Sequence, residues 1–147
     1  NIFWKGFQMK KGKKGFTIIE LLVVIMIISM LAVFVAPRMY RGLGEAKRDI
    51  AKSQMSIIEN SIQRFYIDCD RYPDASVGLV ELISKPEDVA EKWNGPYLKR
   101  SEILDPWDNE YQYILDSSAP NGAFLLISFG ADGQRDGDGD NADIIND

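Results

Sequence analysis

The feature that most constrains this chain is a run of 21 residues, Phe16 to Ala36 (FTIIELLVVIMIISMLAVFVA), in which Glu20 is the single charge. As a helix rising 1.5 Å per residue it covers about 32 Å, close to the roughly 30 Å hydrocarbon core of a bilayer. Its flanks differ sharply. Lys5, Lys10, Lys11, Lys13 and Lys14 fall in the first fifteen residues with no acid among them, whereas the rest of the chain holds 12 basic and 22 acidic side chains. Basic flanks stay on the cytoplasmic side, so the pattern predicts a single-pass anchor with a cytoplasmic N-terminus and a translocated C-terminal part. A secretory signal peptide is the rival reading. Its apolar core spans only about 7–15 residues and ends at a small-residue cleavage site, whereas here a helical pattern continues past the apolar run. Met9 would open a short basic leader, MKKGKKG, and residues 1–8 are then an upstream extension or an alternative start.

Beyond Pro37, apolar residues recur at Met39, Leu43, Ala46, Ile50, Ile57, Ile58, Ile62 and Phe65, with charged and polar residues between them. Spacing of three and four predicts an amphipathic helix with one apolar stripe, ending near Asp68 to Asp70, with a kink expected at Pro37. The stripe needs a small domain packed against it. Val77 to Ser84 reads as a short second helix, and Lys85 to Arg100 as a loop punctuated by Pro86, Asn94-Gly95 and Pro96. Tyr111 to Leu115 and Ala123 to Phe129 read as strands joined by a turn-rich connection, Asp116 to Gly122. The fold class expected is α+β, a long N-terminal helix on a small head with a short antiparallel sheet. The expected divisions are a leader at 1–15, a membrane and assembly helix at 16–36, and a translocated head at 37–147.

The chain has no His and one Cys, so the commonest general base is missing and no intrachain disulfide can form. No nucleophile motif or phosphate loop is present, which argues against an enzyme. The net charge of −5 argues against a basic-patch nucleic-acid binder. Cys69 reads as a small, partly buried residue near the helix end, because no cationic cluster adjoins it in sequence. Tyr72, Trp107, Tyr111 and Tyr113 read as packing between helix and strands, and Trp93 as a loop anchor. Glu45, Lys47, Arg48 and Asp49 read as a solvated helix face, with an inter-subunit charge pair as the alternative.

Two stretches carry candidate chemistry. In Lys13-Lys14-Gly15-Phe16-Thr17-Ile18-Ile19-Glu20, a small residue stands at the edge of the span, and a carboxylate lies one turn inside it. A carboxylate at that depth is costly unless paired. The bland reading is a Glu that snorkels and favours the helix dipole. The second stretch is the tail, where six Asp and one Arg lie between Asp132 and Asp147, with Gly133, Gly137 and Gly139 among them. Such a run is commonly a solvated segment. Its hard oxygen donors suit Ca²⁺ rather than zinc or copper. As an EF-hand loop, Asp136, Asp138 and Asp140 would take the first, third and fifth positions and Asp147 the twelfth. However, Asn141 stands where Gly is required, Asp replaces the bidentate Glu, and no exiting helix remains.

The KKG-FTIIE junction, the long apolar helix and Pro37 resemble type IV-like prepilins. Arg71-Tyr72-Pro73, Gly78-Leu79 with Leu82, Asp105-Pro106-Trp107-Asp108-Asn109 with Tyr111, and the tail from Ser128-Phe129-Gly130-Ala131-Asp132-Gly133 to Asn141-Ala142-Asp143-Ile144 narrow this to the major pseudopilins of bacterial type II secretion. The resemblance implies cleavage between Gly15 and Phe16 by a prepilin peptidase, N-methylation of Phe16, and Glu20 guiding assembly against the Phe16 amine of a neighbour. It implies a homo-oligomeric helical filament in the periplasm, with minor pseudopilins and an inner-membrane assembly platform as partners. It also implies one Ca²⁺, which maps here to the carbonyl of Phe129, the side chains of Asp132 and Asp143, and oxygens around Asp140. A type IV pilus major pilin is the alternative within the class, though those usually carry a disulfide-closed loop that a single Cys forbids. A monomeric membrane-anchored calcium-binding module is the alternative outside it.

Overall fold

The structure is a computed structural model that describes residue 12 and residues 15–147. The basic stretch around Lys13 and Lys14 and the possible start at Met9 lie outside the described residues. The chain divides into two compact units, up to Tyr40 and from Arg41 to Asp147.

A single helix, α1 (Ile18–Cys69), contributes to both units and contains Pro37 within its length. It opens with a reciprocal cap. The Glu20 backbone N–H donates to Thr17 Oγ1 at 3.2 Å, and the Thr17 N–H reaches Glu20 Oε2 at 3.5 Å. These contacts occupy two of the donors that every helix start leaves without a partner. In the first unit the apolar side chains from Ile18 to Val35 are all exposed, and the segment is long and apolar enough to cross a membrane.

In the second unit α1 is amphipathic, but its core stripe differs from the expected one. Ala51, Met55, Ile58, Ile62, Phe65 and Cys69 are buried, at alternating spacings of four and three. Leu43, Ile50 and Ile57 are 58%, 50% and 51% exposed. They recur every seven residues on a separate face, so the apolar positions of this helix form two stripes rather than one. The helix stops at Asp70, whose φ of 59° places it in the left-handed region while its N–H closes on Tyr66 O at 2.9 Å. A left-handed residue at that point ends a helix by satisfying a last-turn carbonyl.

The head contains a three-stranded antiparallel sheet in the order β1 (Gln112–Leu115), β2 (Phe124–Ser128), β3 (Ile144–Ile145). β1 pairs Tyr113 with Leu126 and Leu115 with Phe124; β2 pairs Ser128 with Ile144. The β1–β2 connection is held by its own polar side chains. Asp116 Oδ1 accepts from the N–H of Ser118, and Asn121 Oδ1 accepts from those of Ala123 and Phe124. Both expected strands are present, β1 one residue shorter at its start and β2 one residue shorter at each end, and β3 adds a strand inside the acidic tail. The expected second helix is a tighter 3₁₀ turn, Gly78–Leu82, and another 3₁₀ turn, Arg100–Ile103, begins where the expected loop ends.

Phe65, Phe124, Leu82, Leu126, Ile58 and Ile62 form the centre of the head. Tyr72 and Trp107 pack against that cluster, and Tyr111 and Tyr113 lie within it. Their hydroxyls are satisfied: Tyr113 donates to Pro73 O at 3.1 Å, and the Tyr111 hydroxyl lies 2.8 Å from Gln54 Oε1 and 3.1 Å from Ala51 O. Trp93 anchors its loop by donating from the indole nitrogen to Glu81 O at 3.0 Å. Cys69 is buried, and burial raises its thiol pKa, consistent with a packing role.

The Arg-Tyr-Pro word is the hub of a charge network. Arg71 engages both carboxylate oxygens of Glu81, at 2.7 and 3.2 Å, and both of Asp88, at 2.9 and 2.8 Å. Glu81 is nearly inaccessible and also accepts the Asp74 N–H at 3.0 Å. Two bidentate pairs use the guanidinium's fixed fork geometry, which Lys cannot reproduce. The Arg71 hydrogen bond holds the Asp88 carboxyl below its ordinary pKa, and Glu81 in turn raises that of the guanidinium.

Candidate functional site

The residues expected to carry function fall in two places, one in each unit. At the first, Gly15 and Phe16 are exposed and precede α1, with Glu20 exposed in its first turn. Both residues lie outside regular secondary structure and are open to solvent. The structure gives Glu20 an intrachain partner that the sequence reading missed, although the Thr17-x-x-Glu20 spacing is a capping-box signature.

The second place is the tail loop between β2 and β3. Phe129 leads into a 3₁₀ turn, Gly130–Asp132, closed by Gly133 in the left-handed region. Asp132 Oδ1 accepts the Gln134 N–H at 3.1 Å, and the Asp136 N–H donates to Asp143 Oδ2 at 3.1 Å. A second 3₁₀ turn, Gly139–Asn141, brings the chain back toward its own beginning. Gly130 has φ +68°, and a Cβ there would lie 2.8 Å from the carbonyl oxygen of Asp140 and the carbonyl carbon of Asn141. Only glycine meets both conditions, so Gly130 is the point at which the two ends of the loop close on each other.

Both ends are anchored from outside. At the start, Asp105 is buried and organises its turn by accepting the N–H groups of Trp107 and Asn109 on Oδ1, at 3.0 and 2.9 Å. Its Oδ2 accepts the Ser128 hydroxyl at 2.6 Å, and Ser128 Oγ accepts the Gly130 N–H at 3.3 Å. The far end is held by Arg48 of α1, whose Nη1 donates to Ala142 O at 2.6 Å and Gly139 O at 3.3 Å. Beyond β3, Asn146 bonds to Leu126 through both backbone and side chain, and its amide donates to Glu59 Oε1 at 2.6 Å. Arg48 was expected on a solvated face; its side chain instead reaches the loop and donates to two backbone carbonyls there, one of which, Gly139 O, also accepts the Ala142 N–H at 3.3 Å.

The expected ligand residues are gathered unequally. Asp132, Asp140 and Asp143 all belong to the loop, but the Asp140 carboxylate packs onto Gly44 of α1, occupying the place of an absent Cβ. Among the described residues no three acidic, Cys or His side chains converge as a ready-made metal cluster. One atom does suit a hard cation. Asp143 Oδ1 is buried without a hydrogen-bond partner. A buried carboxylate oxygen in that state is costly to leave unpaired, and a divalent ion bound through oxygen ligands would relieve it.

An apolar helix long enough to cross a membrane, joined to a head of three short strands and a closed acidic loop, defines a pilin-like anchored protein. Residues 38–147 match the family model for type II secretion system protein G, and residues 10–36 match the prokaryotic N-terminal methylation motif. The chain belongs to the type II secretion system protein G family. It is 37% identical over 142 residues to the type II secretion system core protein G of Vibrio cholerae, covering 94% of this chain and 95% of that one. It is 36% identical to the corresponding protein of Pseudomonas aeruginosa, covering 95% and 98%. The crystal structure of the major pseudopilin from the type 2 secretion system of enterohaemorrhagic Escherichia coli superposes with a TM-score of 0.54 at 28% identity, covering 69% of this chain and 87% of that one.

Proposed function

We propose that this chain is the repeating subunit of the pseudopilus of a type II secretion system, polymerising in the periplasm to help move folded proteins across the outer membrane. The observation that carries the reading is α1, whose first unit presents apolar side chains on every face while its continuation seats a folded head. An all-round apolar helix must be covered by lipid before assembly and by other helices afterwards. Cleavage falls between Gly15 and Phe16, and the new Phe16 amine is methylated. Glu20 then leaves its cap contact with Thr17 for the amine of a neighbouring subunit. Before assembly the N-terminus is cytoplasmic and the head periplasmic, in the inner membrane. The partners are further copies of the chain, a prepilin peptidase, minor pseudopilins and the inner-membrane assembly platform.

The tail loop holds one Ca²⁺ in this reading, through Asp143 with Asp132, the Phe129 carbonyl and oxygens near Asp140. When bound, the ion supplies the positive charge that the loop's carboxylates lack. The chain's own residues do the rest: Gly130 lets the ends approach, and Asp105, Ser128 and Arg48 hold them. The unpartnered Asp143 oxygen is what supports the assignment.

The test is replacement of protein G in a secretion-competent strain by this chain, with exoprotein release and filament formation as readouts. Restored release with short filaments supports the reading. Processed protein that stays monomeric in the membrane favours a calcium-binding anchor instead.

A further inference from the structure

Arg48 is the one side chain described as bridging α1 to the tail-loop backbone, and it does so through two carbonyls three residues apart, Gly139 O and Ala142 O. One turn earlier on α1, Gly44 is buried and receives the Asp140 carboxylate where a side chain would otherwise stand. Residues four apart share a helix face, so Gly44 and Arg48 form one seat for the 3₁₀ turn Gly139–Asn141. The neighbouring Lys47 is directed elsewhere, with its Nζ 5.9 Å from the centre of the Trp107 ring. Ala142, which accepts from Arg48, is followed directly by Asp143, whose Oδ1 is buried with no hydrogen-bond partner.

We infer that Arg48 is a latch that holds the second half of the tail loop on α1, thereby positioning Asp143 and setting the loop's affinity for Ca²⁺. The carbonyls of Gly139 and Ala142 are then committed to Arg48 and are not cation ligands. A guanidinium on two carbonyls also keeps a positive charge beside a loop that carries five acids, limiting its tendency to spread when no ion is bound. The affinity half of this inference rests on the calcium reading; the latch itself does not.

The experiment uses the full chain in detergent micelles and the variants Arg48→Gln, Arg48→Lys and Lys52→Gln. Hydrogen exchange is followed in EDTA, and Ca²⁺ binding by titration calorimetry. Loss of hydrogen bonds to a charged donor corresponds to about tenfold or more in a local opening equilibrium. Arg48→Gln therefore raises exchange across residues 139–143 about tenfold in EDTA while β1 and β2 are unchanged, and weakens Ca²⁺ binding by a similar factor. Arg48→Lys falls between, because it keeps the charge but loses the fork. Lys52→Gln, which removes a nearby charge from the same helix, leaves both readouts as in the unaltered chain. Unchanged exchange at 139–143 in Arg48→Gln, an equal rise in β1 and β2, or the same effect from Lys52→Gln overturns the latch. A chain that binds no Ca²⁺ but shows the local exchange response overturns the calcium reading and leaves the latch standing.

Discussion

Ser128 donates its hydroxyl hydrogen to Asp105 Oδ2 at 2.6 Å, linking the end of β2 to a turn 23 residues earlier. Both residues are buried. The carboxylate therefore serves two purposes: one oxygen folds its own turn, and the other fixes the point from which the tail loop departs. This gives the Asp-Pro-Trp word a physical role that neither its composition nor its position in the chain reveals.

Asp105→Ala strands the N–H groups of Trp107 and Asn109 together with the Ser128 hydroxyl. Buried groups left without partners cost about 1–3 kcal/mol each, so the head loses at least that much stability. Chemical denaturation followed by tryptophan fluorescence reads the loss. Ser128→Ala removes only one bond and has the smaller effect, about 1 kcal/mol.

Gly130→Ala should be worse than its size suggests. It places a Cβ against the backbone of Asp140 and Asn141 at a φ of +68°. The left-handed conformation alone costs about 1–2 kcal/mol for a residue with a Cβ. The expected result is a lower melting temperature and loss of any rise on adding Ca²⁺, measured by thermal unfolding with and without EDTA.

If the loop takes Ca²⁺, saturating ion raises the melting temperature, since an ion at one hundred times its dissociation constant contributes about 2.7 kcal/mol. Asp132→Ala lowers the melting temperature in Ca²⁺ to that of the EDTA-treated chain. Asp143→Asn removes the response to the ion while leaving the EDTA value near that of the unaltered protein. A melting temperature insensitive to Ca²⁺ in the unaltered chain contradicts the site.

The head should also lose stability in alkali over a defined window. Burial raises the phenol pKa of Tyr97 to about 12, and pushes Tyr111 and Tyr113 up as well. A raised pKa in the folded state means that the stabilisation is complete below the unfolded value, near 10, and disappears as the pH climbs through the folded values. Denaturant midpoints are predicted to fall from about pH 10 upward, and Tyr97→Phe flattens part of that slope. At the other end, Asp88 has its pKa lowered by Arg71, so its contribution is present above the ordinary carboxylate range and is lost on acidification below it.

Much of the fold is legible in the chain because its signals are local. The apolar run, the three-four spacing after Pro37 and the Asp116–Gly122 turn each declare themselves within a short window. The site is less legible because its determinants are distant. Arg48 looks like any solvated cation among Glu45, Lys47 and Asp49, and its partners lie 91 and 94 residues away. β3 has only two residues, too few for alternation to show among the Asp and Gly around them. The core stripe was misread for a related reason: Leu43, Ile50 and Ile57 are as apolar as Met55 and Ile58, and periodicity alone does not say which of two faces meets the head.

The central claim, that the subunit assembles through Glu20 and a neighbour's Phe16 amine, is tested most directly by Glu20→Val beside Gly15→Leu in cells holding the peptidase and assembly platform but no other major pseudopilin. The account predicts that Gly15→Leu stays at precursor mobility, whereas Glu20→Val is shortened to the mature size yet forms few or no filaments under electron microscopy. Normal filament yield from the processed Glu20→Val chain contradicts it.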